Sequence, residues 1–63
     1  MKTGDRVQII ESIDPSNPID PIYIGATATV IKPGDGLTVA GMVSVRHDRG
    51  GIDAYWPEEL ELQ

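Results

Sequence analysis

The chain has 63 residues, ten acidic against five basic residues for a formal net charge of −5, and no cysteine. This length allows one domain, whose apolar burial only roughly offsets the cost of ordering the chain, so we expect a very efficient core, self-association or a partner. The absence of cysteine excludes disulfides, thiolate metal sites and thiol catalysis. The net negative charge argues against non-specific electrostatic binding to nucleic acid or to an anionic membrane.

Targeting signals are not expected. No apolar run approaches the ~20 residues that a membrane span requires, and the first residues do not have the pattern of a signal peptide. A chain without cysteine is compatible with the cytoplasm, where we expect the protein.

Short runs of alternating residues lie between frequent Gly and Pro turn signals. Apolar and polar side chains alternate over residues 6–11, 26–32, 39–47 and 51–56, which predicts four half-buried strands. A glycine-rich connection is predicted for residues 32–38, and Gly50 and Gly51 favour a tight hairpin before the fourth strand. Pro57 with two following glutamates predicts one 3-10 turn, and residues 61–63 a short closing strand.

Five short strands with one helical turn before the last predict an all-β protein, a small closed or nearly closed barrel formed as a single domain by residues 1–63. The alternation predicts a core that consists of Val7, Ile9, Ala28, Val30, Val43, Val45, Ile52, Ala54 and Leu60, with Trp56 partly buried.

The order of these elements resembles the SH3-like barrels. Residues 4–7 read Gly-Asp-Arg-Val, residues 25–31 resemble the G-x-x-G-x-V second strand, and residues 55–61 resemble the closing aromatic–x–x–E–x–L turn and strand. The pattern is similar to the photosystem I reaction-centre subunit IV family and to the variable chain of ferredoxin–thioredoxin reductase, which are non-catalytic docking subunits. The resemblance implies the barrel over nearly the whole chain, and it specifies function poorly because this fold hosts many functions.

Two other kinds of SH3-like domain are weaker alternatives. KOW-type domains bind RNA through basic loops, whereas Lys32 and Arg46 are too few here to build such a surface. The plasmid-type trimethoprim-resistant dihydrofolate reductase also resembles this chain, but residues 53–56 read Asp-Ala-Tyr-Trp where that enzyme has Val-Gln-Ile-Tyr. An aspartate repeated around a pore would repel an anionic cofactor. A small oligomeric enzyme with His47 or Asp53 recurring in one symmetric cavity stays open as the second hypothesis.

Individual polar residues give weak signals for chemistry. His47, the single histidine, is interpreted as a strand-end residue on a polar hairpin in preference to a general base or metal ligand. The carboxylates near the C-terminus (Asp53, Glu58, Glu59 and Glu61) are interpreted as a solvated acidic face that could steer a basic partner. The run at residues 33–36 is a hairpin loop in preference to a phosphate loop, because a proline removes one amide donor and Asp35 repels anions. We expect no cofactor and no metal.

The most informative segment is residues 13–25, in which three prolines reduce chain entropy. We call it the first segment. Its apolar side chains exceed what an exposed loop needs, so some cap the barrel mouth and others, with Tyr23 facing out, form an interaction patch. Tyr and Trp are common interface anchors. The sequence therefore predicts a non-enzymatic protein-interaction module that binds a protein partner or itself as a homo-oligomer, through Ile19, Ile22, Tyr23, Ile24, Tyr55 and Trp56.

Overall fold

The computed structural model describes residues 1–32 and 40–63. In those residues the chain forms five strands: β1 (Arg6–Ile9), β2 (Thr27–Val30), β3 (Val43–His47), β4 (Ile52–Tyr55) and β5 (Leu60–Leu62). Two 3-10 helices lie at Pro21–Tyr23 and Pro57–Glu59. The first four strands lie within the predicted runs but are shorter, and β5 begins one residue before the predicted closing strand. A proline begins each 3-10 helix, where its fixed φ is suitable. The all-β prediction and the 3-10 turn before the last strand are confirmed, whereas residues 33–38 of the connection predicted at 32–38, and residue 39 of the third predicted strand, lie outside the described residues.

The five strands form one antiparallel sheet in the order β4-β3-β2-β1-β5. The sheet curls into a half-barrel with extents of 24 × 23 × 19 Å, an architecture consistent with a small SH3-like barrel. Both β4 and β5 are edge strands of this sheet. The curl brings the first segment and the second 3-10 helix over the concave face, where the core lies.

The core on the concave face consists of Val7, Ile9, Ala28, Val30, Val45, Tyr55 and Leu60. Six of these seven residues are among those that the alternation predicts. Val43 and Ala54 were also predicted to be core and are only partly buried. Ile19, from the first segment, packs against this core, which confirms that part of the segment caps the barrel.

The prediction of which β4 residues face the core is wrong. Ile52 is 49% exposed, whereas Tyr55 is only 2% exposed and belongs to the core. The register explains the difference: Tyr55 pairs with Val43 and Asp53 pairs with Val45, so both follow the inward face of β3. Because neighbouring residues of a strand face opposite sides, Ile52 is then placed on the outer face, opposite Arg46.

The hairpin between β3 and β4 is confirmed as a tight turn with Gly50 and Gly51 at φ of 106° and 93°. Asp48, at its start, accepts two hydrogen bonds from the Arg6 guanidinium, one of them 2.6 Å long, and a third from the Thr27 hydroxyl. These bonds hold the pKa of the Asp48 carboxyl well below its usual range. The cluster ties the hairpin to β1 and β2 on the outer face.

Within residues 1–32 and 40–63, the structure has no helix that is long and apolar enough to cross a membrane.

Candidate functional site

Three aromatic side chains meet where the first segment crosses the hairpin between β3 and β4. The imidazole of His47 stacks on the ring of Tyr23, with centroids 4.1 Å apart and planes 12° apart. Its Nε2 lies 2.6 Å from the Tyr55 hydroxyl oxygen, and the Tyr55 ring meets the imidazole edge-on. Stacked and edge-on pairs of this kind add stability beyond the area that they bury.

His47 is a buried support for the first segment. It ends β3 as predicted, and only 3% of the residue is exposed. Its Nδ1 has no hydrogen-bond partner among the described residues and faces the backbone of Gly51. A ring enclosed in this way by two tyrosines has no access to a substrate in the single chain.

The first 3-10 helix is fixed over these rings by polar contacts. The Asp20 carboxylate accepts a 3.1 Å bond from the amide of Ile22 and so acts as the N-cap. The Arg49 guanidinium donates a 2.9 Å bond to the carbonyl of Ile22. Tyr23 is therefore half-buried and is held from below by His47, whereas the sequence suggested that it faces outward.

A second set of contacts holds the start of the first segment through Glu59. This carboxylate is 2% exposed, and it accepts a 2.8 Å bond from the amide of Trp56 and a 3.1 Å bond from the amide of Ile13. The Trp56 indole donates a 3.2 Å bond to Asp14, whose pKa is lowered chiefly by its bond from Ser16 and also by this indole bond. The prediction that Glu59 belongs to a solvated face is wrong, and the indole bond to Asp14 connects Trp56 to the first segment.

Between the first segment and β4 lies a pocket of about 180 Å³, which we call the acidic pocket. Its lining is formed by Asn17, Pro18, Ile19, Asp20, Tyr23, Asp53, Ala54, Tyr55 and Glu59. Three of these residues are carboxylates and none is basic. Asp53 reaches the pocket because the register of β4 turns it towards the concave face at an exposed edge.

The pKa of the Tyr55 hydroxyl reflects the negative charge around the acidic pocket. Burial raises the pKa of its hydroxyl, and the negative charges of Asp53 and Glu59 raise it further. The hydroxyl therefore stays protonated at neutral pH. The pocket thus combines a protonated phenol, an aromatic ring and anionic oxygens, a set of groups that suits a cation.

Four isoleucines between residues 10 and 24, none of them in the lining of the acidic pocket, are exposed. They are Ile10, Ile13, Ile22 and Ile24, with exposed fractions of 39%, 42%, 58% and 42%, and we call them the isoleucine surface. Backbone bonds connect them: Gly25 N donates to Ile9 O, which sets Ile24 beside Ile10 on neighbouring chain segments. Ile10 N and Ile13 N both bond to Glu59, the first to its carbonyl and the second to its carboxylate.

The six residues predicted to form an interface are thus divided by the structure. Ile22 and Ile24 are exposed, Tyr23 and Trp56 are half-buried, Ile19 packs inward, and Tyr55 is buried in the core. Ile10, which the sequence interpretation did not include, joins the surface. The available signal was that Ile10 follows the inward-facing Ile9, so that strand alternation directs it outward.

Among residues 1–32 and 40–63, no three His, Cys, Asp or Glu side chains are grouped so that they could hold a metal ion. Comparisons with protein-family models, with curated proteins and with solved structures find no match to this chain.

Proposed function

We propose that the chain is a non-enzymatic protein-interaction module that uses the isoleucine surface as its contact. The observation that carries this proposal is that four isoleucines, on chain segments that backbone bonds join to one another or to Glu59, are exposed. Scattered exposed apolar residues are ordinary, but a continuous group of them is typical of a binding surface.

The way in which this surface is held supports the proposal. Asp20 and Arg49 fix the amide and the carbonyl of Ile22, and Glu59 fixes the amide of Ile13. A segment that is already ordered loses little conformational entropy on binding, so more of its contact energy remains as affinity. The resemblance to non-catalytic docking subunits favours the same function.

The enzymatic alternative has less support. It requires His47 or Asp53 to line a cavity between copies of the chain. His47 is 3% exposed and lies beneath Tyr23, so it reaches such a cavity only if the first segment moves away. Asp53 is exposed at the acidic pocket and could take part without such a movement, but Glu59, the buried carboxylate of the same lining, is already bonded to two backbone amides.

Site-specific photo-crosslinking in the native host tests the proposed function. A photoreactive phenylalanine analogue replaces Ile22 in one variant and Ile52 in the control, because both isoleucines are about half exposed but Ile22 lies on the first 3-10 helix and Ile52 on the outer face of β4. We expect a discrete covalent adduct from position 22 and none from position 52. Loss of this adduct in a background of Ile24→Ser would confirm that the same surface is used.

Equal adducts from both positions, or none from position 22 in folded protein, would contradict the proposal. Sedimentation equilibrium of the purified chain then identifies the occupant. An adduct of twice the chain mass together with a concentration-dependent dimer means that the partner is a second copy. A larger adduct with a monomeric chain means that the partner is a different protein.

A further inference from the structure

Resting on the proposed function, we infer that the partner is a polypeptide segment in which a lysine or arginine lies next to apolar residues. The basic side chain enters the acidic pocket, and its apolar neighbours cover the isoleucine surface. The inference adds the chemistry of the partner to the existence of an interaction.

Charge complementarity is the main argument. The lining includes Asp20, Asp53 and Glu59 and no basic residue. The Arg49 guanidinium is bonded to the carbonyl of Ile22 and forms no salt bridge with these carboxylates. All five basic residues of the chain (Lys2, Arg6, Lys32, Arg46 and Arg49) lie in the described ranges, and the salt bridge found there is between Arg6 and Asp48. The carboxylates of the pocket therefore have no salt-bridge partner within those ranges, and a cation from another molecule would fill that role.

The side chains that can contact a cation extend this argument. Tyr23 presents an aromatic ring to the pocket, and a ring within about 6 Å attracts an ammonium or guanidinium group. The raised pKa of the Tyr55 hydroxyl reflects burial together with the negative field of Asp53 and Glu59. The same field favours a cation in the pocket.

The size of the pocket argues for a side chain in preference to a free small molecule. Its volume of about 180 Å³ is below the roughly 300 Å³ at which most small-molecule sites begin. A single basic side chain fills such a space while the rest of its chain stays outside. The backbone amides of Ile22 and Ile13 are bonded to Asp20 and Glu59, so both isoleucines are attached to residues that line the pocket.

The experiment selects a random twelve-residue peptide library on the purified, folded chain. We expect the enriched peptides to contain Lys or Arg within three residues of Leu, Ile, Val or Phe. The affinity of an enriched peptide is then measured for the double variant Asp20→Asn and Asp53→Asn. Asparagine can keep the backbone bonds that Asp20 and Asp53 accept, so this variant should fold normally.

The matched control is the double variant Glu58→Gln and Glu61→Gln, which lowers the net negative charge by the same two units and changes exposed residues outside the pocket. We expect the dissociation constant to rise about five- to twentyfold in the pocket variant and less than twofold in the control. Binding to the unmodified chain should also weaken as ionic strength increases.

Three results would overturn the inference: enriched peptides without basic residues, equal effects of the two double variants, or no enrichment on folded protein. If the enriched peptides are neutral and Ile22→Ser abolishes their binding, the isoleucine surface still binds a protein as proposed. Only the inference that the partner is basic then fails. If photo-crosslinking at position 22 also fails, the proposed function fails as well.

Discussion

The buried carboxylate of Glu59 gives the sharpest test of how the first segment is held. Glu59 accepts bonds from the amides of Trp56 and Ile13, so Glu59→Gln replaces one acceptor oxygen with a donor that faces an N–H group. Hydrogen bonds to charged acceptors contribute about 1.5–3 kcal/mol each, and we expect the free energy of unfolding to fall by about 2 kcal/mol. This is a large fraction of the roughly 3–9 kcal/mol that a domain of this length has in total.

Urea denaturation followed by Trp56 fluorescence measures the change. With a slope of about 1 kcal/mol per molar urea for so small a domain, the midpoint should fall by about 2 M. Glu58→Gln is the matched control, because Glu58 is exposed on the same 3-10 helix and its midpoint should hardly change. Equal midpoints for the two variants would refute the idea that Glu59 anchors the first segment.

Three further substitutions test other contacts. Tyr55→Phe removes the bond to buried His47 and should lower the free energy of unfolding, measured in urea, by about 1–3 kcal/mol; an unchanged midpoint would contradict that contact. Gly41→Ala should cost about 1–2 kcal/mol by thermal denaturation, because φ is +92° and the added Cβ would lie 3.3 Å from the Trp56 ring; equal melting temperatures would contradict it. The guanidinium of Arg6 lowers the pKa of the Asp48 carboxyl in the folded chain. The stability that this carboxylate contributes is therefore present above its ordinary pKa of 3.8 and is lost as the pH falls below that value. Asp48→Asn should remove this part of the acid dependence, and identical acid titrations of stability would contradict it.

The fold could be predicted from the sequence mainly because each strand carries its own alternation. Val7 and Ile9 in β1, and Ala28 and Val30 in β2, face the core as the period of two requires. In the fourth predicted run, residues 51–56, however, each of the two alternating sets holds an aromatic residue, Tyr55 in one and Trp56 in the other. Local alternation cannot choose between them, and only the pairing with β3 settles which face is buried.

The candidate site is harder to predict from the sequence than the fold, because its contacts join residues that are far apart in the chain. Tyr23 stacks on a histidine 24 positions later, and Ile13 bonds to a glutamate 46 positions later. No spacing in the sequence records such contacts. The sequence did indicate a stiff, apolar first segment, but the acidic pocket beside it depends on how β4 is registered and on where the curled sheet ends.

The outer edge of β4 bears on how the chain behaves at high concentration. The side chain of Asp53 accepts a 2.9 Å bond from the amide of Ala54, a residue of an edge strand. An edge amide that is already bonded cannot recruit a strand from another molecule, and the charge beside it repels one. Growth into cross-β fibrils from this edge is thereby opposed, even though Ile52 is exposed on the same strand. The exposed isoleucines of the proposed contact are therefore compatible with an edge that resists aggregation.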